Sequence, residues 1–216
     1  MASDRFSVEN SYGLCTWRPV SDCEGCSVRG ELNCRFNWND LSYFAAIFLP
    51  FGIAAAAGMI RGGFAWWILG WLGFMAFFFN VWEARVLCSH CPYYGESGHT
   101  LHCIANYGVL KVWRFHPEPM SKSEQVQFLV GVLLLLGFPF PFMLLGGAYA
   151  LSLIALAGAI SFAFSLKKQV CSRCINFSCP LNSVPKPIVD AYLRRNAVMR
   201  EAWEAGGYRL DEEGGS

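Results

Sequence analysis

Cysteine is the residue type in this chain whose number and spacing point most directly to chemistry. Ten of the 216 residues are cysteines, and three pairs of them have the Cys-x2-Cys spacing. Thiolates at this spacing bind zinc or iron–sulfur clusters, or carry out thiol–disulfide exchange. The candidate metal ligands are Cys15, Cys23, Cys26, Cys34, Cys88, Cys91, Cys103, Cys171, Cys174, Cys179 and His99.

The first four cysteines lie in an N-terminal segment, residues 1–38, with the symmetric spacing Cys15-x7-Cys23-x2-Cys26-x7-Cys34. Glycine and proline recur between them, so we expect a looped module rather than a long helix. A segment this short cannot close a hydrophobic core alone. Its four thiolates predict a single zinc site or a single iron–sulfur cluster.

The remaining six cysteines form two later sets. Residues 84–122 form a cysteine- and histidine-rich loop in which Cys88-x2-Cys91-x7-His99-x3-Cys103 has the composition of a Cys3His site. Residues 167–216 form a C-terminal segment that begins with Cys171-x2-Cys174-x4-Cys179. Within it, apolar residues at helical spacing over 187–204 predict an amphipathic helix that covers the cysteines or lies on a membrane.

Four uncharged apolar runs must position these sets: residues 41–60, 64–82, 126–145 and 148–166. Each run would rise roughly 30 Å as a helix, the thickness of a bilayer core. The turns at 61–63 and 146–147 are so short that each joins two antiparallel neighbours. The sequence therefore predicts an all-α integral membrane protein of two tandem hairpins, within segments 39–83 and 123–166.

The two hairpins have matched spacing. Their turn glycine pairs are 84 residues apart, and their Cys-Ser-x-Cys motifs, 88–91 and 171–174, are 83 apart. We interpret this as an internal repeat that brings two cysteine pairs below one membrane face. Cys88, Cys91, Cys171 and Cys174 would then share a site, with Cys103 and Cys179 as further ligands or part of a second cluster. In the competing assignment each loop forms its own site, and His99 completes the first.

The basic residues predict the orientation. The tight turns hold one Arg, and the other 16 of the 17 Lys and Arg lie on the side of the cysteines. The positive-inside rule puts that side, with both termini, in the cytoplasm, and no cleavable signal peptide is evident. Because the cytoplasm is reducing, metal ligation is favoured over disulfides. A net charge of +1 argues against a nucleic-acid partner.

The layout resembles that of membrane ferredoxin-type proteins, which have four helices and cytoplasmic Cys-Pro motifs that hold [4Fe-4S] clusters. The spacings here, Cys88-x2-Cys91-Pro92 and Cys174-x4-Cys179-Pro180, differ from the Cys-x3-Cys-Pro of those proteins. The leading hypothesis is iron–sulfur electron transfer with a redox partner at the inner membrane surface. One alternative is a zinc-stapled platform that docks a protein. A third is a thiol–disulfide oxidoreductase or a soft-metal carrier.

Overall fold

The structure, a computed structural model, describes residues 10–211 and is mostly helical within them. The described residues also contain a short antiparallel hairpin of two strands, which the all-α prediction did not include. The elements are α1 (Trp38–Arg61), α2 (Trp67–Phe77), α3 (Glu83–Val86), β1 (Thr100–His102), β2 (Tyr107–Leu110), α4 (Lys122–Gly137), α5 (Pro139–Leu145), α6 (Tyr149–Ser165), α7 (Lys186–Arg194) and α8 (Ala197–Ala205).

Within residues 10–211, four continuous helical stretches are long and apolar enough to cross a membrane. We call them spans 1 to 4: Trp38–Arg61, Trp67–His90, Lys122–Leu145 and Tyr149–Arg173. Less than a third of each span's most apolar window is buried inside the chain, so the outer faces expose leucine, isoleucine and phenylalanine. Such faces suit contact with lipid rather than water.

The helix ends follow local capping chemistry. Span 1 begins after Asn37, whose side chain accepts a hydrogen bond from the Asn39 N–H. Span 3 begins at a capping box, in which Ser121 and Glu124 satisfy each other's backbone N–H groups.

The two hairpins meet at their turns. Gly63 and Gly147 both have positive φ, which ends one helix and turns the chain into the next. A Cβ added to Gly146 would lie 2.3 Å from the Cα of Gly62, so the two turns pack backbone against backbone. Each glycine pair therefore has two roles: one residue makes the turn, and the other allows the hairpins to touch.

Spans 1 and 4 pack along most of their length, and span 2 packs against span 3. Small residues permit the first contact, since Ala55 and Ala155 are fully buried and Gly158 lies against the backbone of Phe51. Spans 1 and 2 meet at the rings of Phe51 and Trp71, whose centroids are 5.9 Å apart. The Trp71 indole donates a hydrogen bond to the Leu135 carbonyl on span 3.

Outside the spans, residues 10–37, 91–121 and 174–211 share one hydrophobic core. We call these residues the cysteine domain. The predicted amphipathic helix over 187–204 is instead two helices, α7 and α8, with a break at Asn196. The side chain of Asn196 accepts a hydrogen bond from the Cys15 N–H. Tyr192, Leu193 and Met199 from these helices are buried in the shared core. The amphipathic segment thus covers the cysteines.

Candidate functional site

Six thiols from both hairpins line one cavity of about 770 Å³ where the spans meet the cysteine domain. We call them the hairpin thiol group: Cys88, Cys91, Cys103, Cys171, Cys174 and Cys179. This is the juxtaposition expected from the repeat, and it includes the two cysteines that the sequence left as further ligands or a second cluster. All ten cysteines are free of disulfides.

The two Cys-Ser-x-Cys motifs occupy equivalent local structures. In each, the first cysteine opens a 3-10 turn at the end of a span. The π-helical segment 166–170 directly precedes Cys171, whereas α3 and Leu87 separate the π-helical segment 78–82 from Cys88. The Ser89 hydroxyl donates to the Arg85 carbonyl, and the Ser172 hydroxyl donates to the Lys168 carbonyl, four residues back in both cases. The shared serine therefore holds the same turn twice, which gives the repeat a physical basis.

Hydrogen bonds from asparagine side chains to backbone carbonyls connect the segments around the two motifs. The Asn176 amide donates to the Leu87 carbonyl at 3.0 Å, which links the second cysteine segment to the end of span 2. Asn106, which is 6% exposed, donates to the Phe79 carbonyl at 3.1 Å and approaches the Cys88 sulfur at 3.9 Å. These bonds hold the central loop and the C-terminal segment around the cavity independently of any ligand.

Burial governs the electrostatics of the hairpin thiol group. It raises the pKa of the Cys91 and Cys174 thiols well above the ordinary value, and that of Cys179 to about 12. The neighbouring thiols add to each shift, because several negative charges cannot share one enclosed space. These thiols are protonated at neutral pH unless a cation compensates their charge.

Glu83 reaches the same cavity from span 2. Its side chain lines the cavity and is 8% exposed, and one carboxyl oxygen, Oε2, has no hydrogen-bond partner among the described residues. It interacts electrostatically with Cys88 and Cys103. Glu83 therefore lies beside the cysteines.

A second set, the N-terminal thiol group, consists of Cys15, Cys23, Cys26 and Cys34. Burial, followed by repulsion from the other three thiols, raises the pKa of Cys34 to about 12. The Arg35 guanidinium lies 3.8 Å from the Cys23 sulfur. The Cys34 thiol is thus within electrostatic range of the other three thiols of the group.

Asn196 fixes the first thiol of that group. Its Oδ1 accepts a hydrogen bond from the Cys15 N–H at 2.7 Å, and its Nδ2 donates to the Cys15 sulfur at 3.2 Å and to the Tyr192 carbonyl at 2.7 Å. Only 1% of the residue is exposed. A residue 181 positions away in sequence therefore positions a candidate ligand, and no spacing rule could have revealed it.

Two buried tyrosines connect the thiol groups. The Tyr93 hydroxyl donates to the Asn33 carbonyl at 2.7 Å, and it interacts electrostatically with thiols of both groups, among them Cys34 and Cys91. Tyr192 is fully buried, and its hydroxyl interacts electrostatically with Cys15, Cys34 and Cys91. The hydroxyl groups of Tyr93 and Tyr192 are therefore within electrostatic range of thiols of both groups.

No histidine lines the cavity that the hairpin thiol group surrounds, among the residues that the structure describes. His99, the predicted fourth ligand of a Cys3His site, is exposed and does not line the cavity. His90 and His102 have protein partners, the Glu118 carbonyl at 2.7 Å and the Glu96 carboxylate at 3.1 Å. The geometry brings sulfur ligands together and leaves His99 apart.

Within residues 10–211, no three Cys, His, Asp or Glu side chains are grouped closely enough to hold a single metal ion. A tetrahedral zinc site would need sulfur atoms about 3.8 Å apart, since each Zn–S bond is about 2.3 Å long. Neither thiol group meets that condition among the described residues, and the hairpin thiol group lines a cavity. Comparison of the chain with family models, curated proteins and solved structures finds no match.

Proposed function

We propose that this chain is a membrane-anchored electron-transfer protein that holds cysteine-ligated iron–sulfur clusters at the cytoplasmic face of the cell membrane. The observation that carries the proposal is the hairpin thiol group, six thiols around one cavity, three of them buried and three partly buried. A [4Fe-4S] cluster takes four thiolates. Cys88, Cys91, Cys171 and Cys174 are the first candidates, and Cys103 and Cys179 lie beside them.

The positive charge of an iron–sulfur core would compensate the negative charge of buried thiolates at this site. Buried thiols with raised pKa values resist ionisation, and an iron core supplies the positive charge that lets them bind as thiolates. The same raised pKa values argue against thiol–disulfide exchange, which needs a thiolate at neutral pH. A polynuclear core also suits thiols that surround a space more widely than a single zinc ion requires.

The N-terminal thiol group is suited to a second cluster that receives electrons from a soluble donor. Residues around Cys23 and Cys26 are exposed, while the hairpin thiol group is enclosed beside the spans. The Tyr93 and Tyr192 hydroxyls interact electrostatically with thiols of both groups. Electrons would enter at the exposed group and leave through the group next to the membrane.

The cytoplasmic orientation rests on the basic residues and has a direct test. Arg61 lies in the turn opposite the cysteines. In intact cells, an impermeant maleimide is expected to label an Arg61→Cys variant and to leave the native chain unlabelled. Labelling of the native chain from outside would contradict the orientation and restore disulfides as the leading interpretation.

Elemental analysis of anaerobically purified protein tests the proposed function. We expect iron and acid-labile sulfide, up to roughly eight of each per chain if both thiol groups hold a [4Fe-4S] cluster. The protein should be brown, with a broad absorbance near roughly 400 nm that bleaches on reduction. Stoichiometric zinc without sulfide would replace electron transfer by the stapled-platform hypothesis.

A further inference from the structure

The cavity extends well beyond the thiols. From the hairpin thiol group it continues between the spans, where phenylalanines and leucines of spans 1, 2 and 3 line it. Leu49 is 55% exposed and Ala45 is exposed, and both line the cavity on span 1, so it opens on the outer face of the spans. Its volume, about 770 Å³, lies in the range of sites for small molecules.

The two ends of the cavity differ in chemistry. The outer end is apolar and aromatic, with Phe44, Phe48 and Phe79 among its walls. The inner end carries the buried Glu83, whose Oε2 has no hydrogen-bond partner among the described residues, next to the thiols. Among the described residues that line the cavity, none is Lys or Arg. It therefore suits a molecule with an uncharged polar head and an apolar remainder.

We propose that this cavity binds a quinone, a lipid-soluble ring that enters from the bilayer between spans 1 and 2. A phospholipid headgroup would need a cation for its phosphate, and the lining offers none. A quinone is uncharged, and its carbonyls become hydroxyls on reduction. The carboxyl group of Glu83 can accept or donate a hydrogen bond, so it can serve either form of the ring.

The reaction rests on the proposed function, because the electrons come from the cluster at the hairpin thiol group. One quinone takes up two electrons and two protons and becomes one quinol. A cluster held by these thiols would supply one electron at a time and would be reduced again by a soluble one-electron donor, so two transfers would complete each turnover. The two protons come from water on the cytoplasmic side.

Photolabelling with an azidoquinone in native membranes tests the binding site. We expect labelled residues within 41–49 and 78–83, with the label displaced by an excess of unmodified quinone. Leu49→Trp should block the mouth and reduce labelling about tenfold. Leu153→Trp is the matched control, since Leu153 is also an exposed span residue, at 68%, and does not line the cavity.

Two variants of Glu83 test the proposed polar contact with the quinone. Glu83→Leu removes the hydrogen-bonding group and should weaken quinone binding about five- to tenfold, whereas Glu83→Gln keeps a donor and an acceptor and should stay within about twofold. Equal labelling of the Leu49→Trp and native chains, or label spread evenly over all four spans, would overturn the site. So would displacement of the label by phospholipid as effectively as by quinone.

A separate readout distinguishes the two proposals. Iron-loaded protein, reduced chemically and freed of reductant, should form one quinol for every two electrons it held. A protein that contains iron and sulfide but neither binds nor reduces quinone would overturn the quinone site and leave the proposed function standing. A protein that binds quinone in the cavity without iron would support the site and contradict the proposed function and the reduction step.

Discussion

The most informative perturbation outside the thiols is Asn196→Ala, because Asn196 joins the C-terminal helices to the N-terminal thiol group. The substitution removes the acceptor of the Cys15 N–H and the donor to the Cys15 sulfur. The Tyr192 carbonyl keeps a partner, since the Arg195 N–H also donates to it. The main cost is a partly buried N–H without an acceptor, about 2 kcal/mol.

Hydrogen–deuterium exchange of the protein in nanodiscs measures this cost. An opening free energy lower by about 2 kcal/mol should speed exchange of residues 10–37 about 30-fold and leave the spans unchanged. Asn196→Asp keeps the acceptor but turns a carboxylate oxygen toward the Tyr192 carbonyl and the Cys15 sulfur. Because like partial charges then face each other in a buried site, this variant should be the least stable.

Asn39→Ala serves as the control, since Asn39 is exposed and its substitution should change exchange less than twofold. Metal analysis adds a second readout. Asn196→Ala should lower the iron held by the N-terminal thiol group and leave the hairpin thiol group loaded. If Asn196→Ala exchanges no faster than Asn39→Ala, the reasoning that Asn196 fixes Cys15 is refuted.

Two further predictions concern packing and pH. Gly146→Ala places a Cβ against the Gly62 backbone and should destabilise the paired turns by about 1–3 kcal/mol, whereas Gly137→Ala, with open space around it, should be nearly neutral in thermal unfolding. Burial opposes ionisation of Asp190, but hydrogen bonds from Lys186 and its other donors outweigh it and hold the pKa of Asp190 below its usual value. The resulting stability is present above about pH 4 and is lost as the pH falls through that lowered pKa. The difference in thermal stability between the native chain and Asp190→Asn should therefore shrink as the pH falls below about 4, and a difference that stays constant down to acid unfolding would contradict this.

The spans and the repeat could be predicted because they depend on patterns that are local in sequence. Long uncharged runs, paired glycines and the Ser121–Glu124 capping box each have a physical meaning that a few residues carry. The grouping of thiols from both hairpins followed from the repeat. The sequence did not reveal that spans 2 and 4 continue to His90 and Arg173, since their last turns contain charged residues that the apolar pattern excludes.

The features that sequence analysis missed depend on contacts between distant segments. The break between α7 and α8 arises because Asn196 bonds to Cys15 and to the Tyr192 carbonyl, whereas the apolar spacing of the segment runs on without interruption. His99 seemed a ligand because its spacing fitted a Cys3His pattern, yet β1 and β2 carry it to the surface. Spacing alone does not determine which way a loop residue points.

The central claim is that thiols from two hairpins hold one centre, and paired substitutions test it most directly. Cys91 and Cys174 lie on different hairpins, and their thiols interact across the cavity. Iron and sulfide should be measured in Cys91→Ser, in Cys174→Ser and in the double variant, with Cys26→Ser as a probe of the N-terminal thiol group. The account predicts that both single variants lose the same centre and that the double variant loses no more than either. Separate losses that add in the double variant would show two independent sites and contradict it.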